Sequence, residues 1–480
     1  MKIDNDMKST NKNSYLELPN ILYTKQLPTP VKAPKVIVFN DDLSISLGID
    51  KTITHSNSAS VLAGNTILEG SIPIAQSYAG HQFGHFTILG DGRAILIGEH
   101  ITPNLERIDI QLKGSGVTPY SRRGDGRATL SSMLREYLIS EAMAALHIKT
   151  TRSLAVVSTG EQVIREQIQD GAILTRISKG HIRVGTFQFA ALKDTETIKA
   201  LADYTIKRFY PEINSTNPYI TLLDKVVDAQ AELIATWQHI GFIHGVMNTD
   251  NMSIAGETID YGPCAFMDTY HPNTVFSSID QHGRYAYQNQ PVVAQWNLAR
   301  FAETLLPLLH EDQDKAIKIA EASIEYFTEL YEAYWLAGMR KKIGLFTEDP
   351  TDRNLIDALL SHMATEKLDF TNTFIHLMIP DYRSTLKSME EWSHRWHERL
   401  NRQPESFQDS ITLMKSVNPY VIPRNHQVEL ALKDAVQGDM TTFNSLLKIL
   451  KSPFEHVLNH IQYTLPPSPS KKVYKTYCGT

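Results

Sequence analysis

Cysteine is almost absent from this chain of 480 residues, which carries only Cys264 and Cys478. Two thiols exclude a disulfide framework and any four-cysteine zinc site. They leave open a single bond between the two, or two unrelated thiols, one half-buried and one in the tail. Long apolar runs are also missing: no stretch approaches the about 18 uninterrupted apolar residues of a membrane-spanning helix, so no membrane partner is expected. Charge of one sign does not dominate. A formal net charge of -6 gives no general pull toward nucleic acid or an anionic surface, so any anion site must be local. The opening Met1-Lys2-Ile3-Asp4-Asn5-Asp6 is polar and acidic, unlike a signal or transit peptide, and the expected location is the cytoplasm. No internal repeat is visible, and low-complexity character is confined to residues 466–472, which read as a mobile linker.

What is present reads as a globular protein. The composition, 42% hydrophobic and 21% charged, has none of the bias of disordered or collagen-like chains. Beyond roughly 250–300 residues a single core usually divides, so two lobes are expected. The first half is strand-rich and the second helix-rich, with the change near residues 193–201. Two short apolar runs, 86–89 and 94–97, flank Gly90-Asp91-Gly92 and predict a hairpin turning on the glycines. Residues 108–113 alternate apolar and polar side chains, predicting a half-buried strand that ends at Lys113. Leu130, Leu134, Leu138, Ala142, Ala145 and Leu146 predict an amphipathic helix over 130–148, with Glu136 off its apolar stripe. A second helix is expected over 222–239, with Gly241 as its stop, and more helices from Val292 onward.

The chemistry concentrates between His244 and Gly262. If 252–254 and 257–259 pair as a hairpin across Ala255-Gly256, Asn251 and Asp260 face each other with Cβ atoms roughly 4.5–5.5 Å apart. An amide and a carboxylate oxygen suit magnesium, which keeps waters and phosphate oxygens for its other positions. Asp250, one residue before Asn251, can then reach an incoming hydroxyl as a general base. Taken alone, Asp and Asn here can equally shape turns. The order of parts across the chain favours chemistry: a glycine turn, a strand lysine (Lys113), a helical glutamate (Glu136), then an Asn and an Asp-x-Gly after a buried helix, the plan of a protein kinase. The expected fold is therefore α+β and two-lobed like a protein kinase, with the strand-rich lobe over 1–200, the helical lobe over 201–464 and a tail over 465–480.

The segments Tyr78-Ala79-Gly80-His81-Gln82-Phe83-Gly84-His85, Leu89-Gly90-Asp91-Gly92-Arg93-Ala94, Gln111-Leu112-Lys113-Gly114-Ser115-Gly116, Asn248-Thr249-Asp250-Asn251-Met252 and Asp260-Tyr261-Gly262-Pro263 resemble those of the selenoprotein O family and its bacterial YdiU relatives. The match runs in family order from Tyr78 to Asp268 and continues more loosely into the helical half. The resemblance implies a pseudokinase that binds ATP inverted, presents the α-phosphorus to Ser, Thr or Tyr hydroxyls of proteins, itself included, and releases pyrophosphate. It implies that Gly90, Gly92, Arg93, Lys113, Asp125, Gly126, Arg176 and Arg183 contact nucleotide. It further implies that Asn251 and Asp260 hold Mg2+, with Mn2+ as the variant, that Asp250 accepts the proton, and that Glu136 orients Lys113.

The kinase pattern is broken at one place. Kinases carry His-Arg-Asp with the metal-binding Asn five residues after that Asp; here His244-Gly245-Val246 fits the register and puts a valine where the base belongs. Phosphoryl transfer by the standard route is therefore in doubt. UMP transfer with manganese, a conventional phosphotransferase and a catalytically inactive nucleotide-binding scaffold stand as alternatives. Individually the parts have plainer readings: a hairpin turn at 90–92, solvated surface charges at Arg176 and Arg183, an ion pair of little consequence between Lys113 and Glu136. His81 and His85, four apart, lack the His-Glu-x-x-His pattern and are flanked by glycines, so zinc is not expected there. Gly114-x-Gly116 lacks the third glycine of a dinucleotide fingerprint. Cys478 resembles the family's near-terminal redox residue, and a bond to Cys264 would tie the tail beside the active site.

Overall fold

Each strand of the first half finds its partners in one antiparallel sheet. The computed structural model describes residues 13–49, 58–379, 389–457, 460–468 and 476. The strands are β1 (Tyr23–Lys25), β2 (Lys35–Phe39), β3 (Ile74–Gln82), β4 (His85–Gly90), β5 (Ala94–Ile101), β6 (Arg107–Lys113), β7 (Ala128–Thr129), β8 (Arg152–Ile164) and β9 (Ile168–Ser178). Their order is β1-β3-β5-β6-β9-β8-β2, with β4 on β3 and β7 on β9. The chain is thus α+β: this large sheet, then a helical C-terminal region.

The predicted 86–89/94–97 hairpin does not form. β4 pairs with β3, from Gln82 opposite His85 to Ser77 opposite Gly90, while β5 pairs with β6 and touches β3 only at Ile74. The turn instead falls at Phe83-Gly84, where both residues have positive φ, as a two-residue hairpin loop of the primed type demands. Gly90-Asp91-Gly92 becomes a corner, and Asp91 ties it to β3: its N–H donates to Gln76 O at 2.9 Å and its Oδ2 accepts from Gln76 N at 3.1 Å. β3 carries little strand signal because Ala79, Gly80 and His81 have low strand propensity.

β6 matches the strand read from sequence but is buried rather than half-buried, for its polar face looks into the protein. The first eight helices among the described residues are α1 (Asp41–Leu47), α2 (Ser58–Leu62), α3 (Leu130–Ala145), α4 (Val184–Ala191), α5 (Thr195–Phe209), α6 (Pro218–His239), α7 (Gln290–Leu309) and α8 (Gln313–Lys342). α3 starts where Thr129 Oγ1 accepts from Ser132 N. It is buried on nearly every side, between β8 and β9 on one flank and the helices Asn425–Val436 and Thr441–Leu450 on the other. Glu136, off the apolar stripe, therefore points inward. α6 begins with Pro218 at its first turn and stops at Gly241, whose φ is +69°. Strands give way to helices between Ser178 and Val184, somewhat earlier than the composition suggests, because the apolar run of α4 is helical. Among the described residues no helix is long and apolar enough to cross a membrane.

Candidate active site

Lys113, at the end of β6, donates to Glu136 Oε2 on α3 at 2.7 Å and to Asp260 Oδ1 at 2.5 Å. Arg176 lies on β9 opposite Gln111. Its Nε donates to Glu136 Oε1 at 3.1 Å, its Nη1 to Gln111 Oε1 at 3.2 Å, and its Nη2 to both Glu136 and Asp260. Buried charges are tolerated when paired and hydrogen-bonded, and this network satisfies both conditions. Burial alone would raise the Asp260 carboxyl, but Arg176, Lys113 and Arg183 outweigh it and hold it well below the ordinary range. Glu136 is likewise lowered against its burial by Arg176 and Lys113. Asp260 has a φ of +64°, an uncommon backbone state for a residue other than glycine and a mark of functional sites.

Arg183, just before α4, stacks 4.5 Å from the centroid of the Tyr78 ring. Its Nη1 donates to the Asp250 carbonyl at 3.1 Å and lies 3.7 Å from Asp260 Oδ2, and its Nη2 lies 3.7 Å from Asp91 Oδ1. Arg176 and Arg183 are only 1% and 3% exposed, which rules out solvated surface charges. The Lys113–Glu136 contact belongs to a buried network, which removes the reading of an exposed, inconsequential pair.

Asp250 sits in the one-turn helix Thr249–Asn251, 7% exposed. A Cβ on Gly80 would lie 2.4 Å from its Oδ1, so only glycine lets β3 cross the carboxylate. That Oδ1 has no hydrogen-bond partner among the described residues. Burial pushes its pKa up to about 6, against the pull of Arg183. Next to it, Asn251 Nδ2 donates to Val246 O at 3.0 Å, which leaves Oδ1 as the atom able to meet a ligand.

The predicted 252–254/257–259 hairpin does not form. A turn exists, with Gly256 N donating to Ser253 O, but the arms separate onto different partners. Ser253 bridges to Arg183 and Thr258 to Thr150, because the chain before α4 and the chain entering β8 offer free backbone groups on either side. Asn251 and Asp260 are therefore not cross-strand neighbours; they share a cavity instead.

That cavity, about 970 Å³, lies between the sheet and the helical region. Gly90, Gly92, Arg93, Lys113, Asp125, Gly126, Glu136, Arg176, Arg183, Asp250, Asn251 and Asp260 all line it. At its rim, the Asp125 carboxylate is gripped by Arg165 at 2.9 and 3.0 Å, from the start of the β8–β9 turn. Gly126 is required by a close approach: with φ +66°, a Cβ there would fall 2.1 Å from the Gly116 backbone. Sequence reasoning missed Asp91, Arg165 and the stacking role of Tyr78. Asp91 passes as a turn residue, and Arg165 carries no local signal. His81 lies on a strand and bonds Gln188, at 2.8 Å.

Cys264 is buried, and its carbonyl accepts from Arg135 Nη2 at 2.8 Å. Thr476 donates its hydroxyl to the carbonyl of the neighbouring Pro263, and its N–H to Phe276 O at 2.7 Å, so the tail does return to this region. Cys478 and most of the expected linker lie outside the described residues.

The family described as Protein adenylyltransferase SelO matches residues 7–451. The chain is 58% identical over 475 residues to a protein of Clostridium beijerinckii named Protein nucleotidyltransferase YdiU, covering 98% of this chain and 97% of the relative. It is 59% identical to the protein of that name from Halalkalibacterium halodurans, covering 97% and 96%, and 56% identical to that of Alkaliphilus metalliredigens, covering 98% and 97%. With the whole motif series gathered around one cavity and near-complete coverage by such relatives, the chain belongs to the SelO/YdiU family of nucleotidyltransferases.

Proposed function

We propose that this protein transfers AMP from ATP to Ser, Thr or Tyr hydroxyls of proteins in the cytoplasm, on a kinase-like fold with the nucleotide inverted. The observation that carries the reading is the pair Asp250 and Val246. A buried carboxylate with an unpartnered oxygen and a pKa raised to about 6 lies beside Asn251, in the cavity lined by Lys113, Arg176 and Arg183. Val246, where a kinase has its base, lines the same cavity and has no proton acceptor in its side chain. Kinase-like architecture is supported by the strand lysine bonded directly to the glutamate of α3, with Asn251 and Asp260 following the buried α6.

In the proposed step the acceptor hydroxyl gives its proton to Asp250 as its oxygen bonds to the α-phosphorus. The bond from that phosphorus to the bridging oxygen breaks, and pyrophosphate departs with the electron pair. Lys113, Arg176 and Arg183, themselves buried, neutralise the phosphate oxygens at the cavity wall, where fixed charges act strongly. Glu136 positions Lys113 and Arg176. Gly90, Gly92, Arg93, Asp125 and Gly126 form the rim against which the rest of the nucleotide rests.

Among the described residues no three His, Cys, Asp or Glu side chains converge as a metal cage. Asn251 and Asp260, which line the cavity, offer hard oxygens of the kind magnesium takes while keeping phosphate oxygens for its other positions. When bound there, Mg2+ or Mn2+ would supply charge neutralisation on the phosphates. The test is incubation with ATP labelled on the α- or γ-phosphorus. Label from the α position on protein is expected. Label from the γ position would favour a phosphotransferase, preferential use of UTP with manganese would favour UMP transfer, and no label from any nucleotide would leave a scaffold.

A further inference from the structure

The outer edge of β3 is bonded to the loop that carries Asp250. Around a two-residue turn the flanking pair, Gln82 and His85, exchanges backbone hydrogen bonds, so at the next pair, His81 and Phe86, the N–H groups point away from the partner strand. His81 N donates to Thr249 Oγ1 at 2.7 Å, and Phe83 N donates to Asn248 Oδ1 at 3.1 Å. Asn248 Oδ1 also accepts from Tyr285 OH at 2.6 Å. The Thr249 hydroxyl, having accepted from β3, donates to Gln188 Oε1 on α4 at 2.7 Å, and Gln188 Nε2 donates to His81 Nδ1 at 2.8 Å. These bonds close a ring through three elements: β3, the catalytic loop and α4. The His81 ring is held in orientation between the edges of Phe86 and Trp296, each 5.1 Å away.

Both ends of this ring touch the chemistry. Thr249 immediately precedes Asp250, and Gly80, the neighbour of His81, covers the Asp250 carboxylate. The far ends of the same hairpin, Tyr78 on β3 with Leu89 and Gly90 on β4, line the cavity. The bonds lie at the turn end of the hairpin, next to the carboxylate, while the nucleotide-facing residues lie at its other end. We propose that Thr249 and Gln188 are positioning residues that latch the β3–β4 hairpin to the catalytic loop, so that the hairpin holds the proton acceptor in place. This rests on reading Asp250 as the acceptor.

Thr249→Val keeps the shape of the buried side chain and removes the hydroxyl, leaving His81 N–H and Gln188 Oε1 unpaired. Gln188→Met removes the bridge, and Thr249→Ser retains the hydroxyl. Pyrophosphate release from ATP and magnesium, with dephosphorylated casein as acceptor, is expected to show kcat reduced by about 10²-fold in the first two variants, as for a misplaced catalytic group. The KM for ATP should stay unchanged, and Thr249→Ser should restore kcat. Independently of turnover, amide hydrogen exchange at His81 is expected to accelerate in Thr249→Val with ATP affinity unaltered. Unchanged kcat and unchanged exchange in Thr249→Val, or equal losses in kcat and ATP affinity, would overturn the latch. Transfer persisting in Asp250→Asn would instead overturn the reading on which it rests.

Discussion

Asp250 shows how one side chain answers to two demands. Its carboxyl is pushed up to about 6 because burial penalises the charge more than Arg183 relieves it. The proposed general base must be ionised, so transfer should climb about tenfold per pH unit below that value and level off above it in a kcat/KM–pH profile, which reports the free enzyme. Stability runs the other way. The fold favours the neutral form, a contribution fully present below the ordinary carboxyl value of about 3.9 and lost as pH rises through about 6. Asp250→Asn is accordingly expected to end transfer while raising Tm at about pH 8 and changing it little at about pH 3.5, which thermal melts at the two values would check. Glu136 carries the opposite balance. Removing it by Glu136→Ala strips Arg176 and Lys113 of a buried partner, a loss on the order of 3–5 kcal/mol, measurable by denaturant unfolding and accompanied by loss of label transfer.

Among the elements, the β3–β4 hairpin governs most. Gly80→Ala would place a methyl 2.4 Å from Asp250 Oδ1, and the expected outcome is loss of kcat with far-UV circular dichroism unchanged; full activity would show that the hairpin does not press on the acceptor. This hairpin is also the least legible part of the sequence. Ala79-Gly80-His81-Gln82 has neither alternation nor β-branched residues, and what makes it a strand is its bonding to β4 and to the loop that carries Asp250, contacts no local pattern records. The helices are readable because α3 and α6 keep apolar residues at three- and four-residue spacing and end on definite signals. Between 252–254 and 257–259 the turn is legible and the pairing is not, since the choice between joining the arms to each other or to Arg183 and Thr150 is made by tertiary neighbours.

For the whole molecule, the cavity is a meeting of opposite charges from different parts of the chain. Lys113 and Arg176 come from the sheet, Arg183 from the junction with α4, and Asp250, Asn251 and Asp260 from the loop after α6. The chain order of these residues is legible, because lysine, glutamate, asparagine and aspartate follow one another as they do in kinases. Their convergence on Arg176 is not, since an arginine in an apolar strand looks like any surface charge until its burial is seen. In the proposed complex Asn251 and Asp260 hold one divalent ion with the α-phosphorus turned toward Asp250. A crystal structure with a non-hydrolysable ATP analogue and manganese, located by anomalous scattering, measures this directly. The expected result is a manganese peak between Asn251 Oδ1 and Asp260 with the α-phosphate nearest Asp250. A peak elsewhere, or a γ-phosphate in that place, would contradict it.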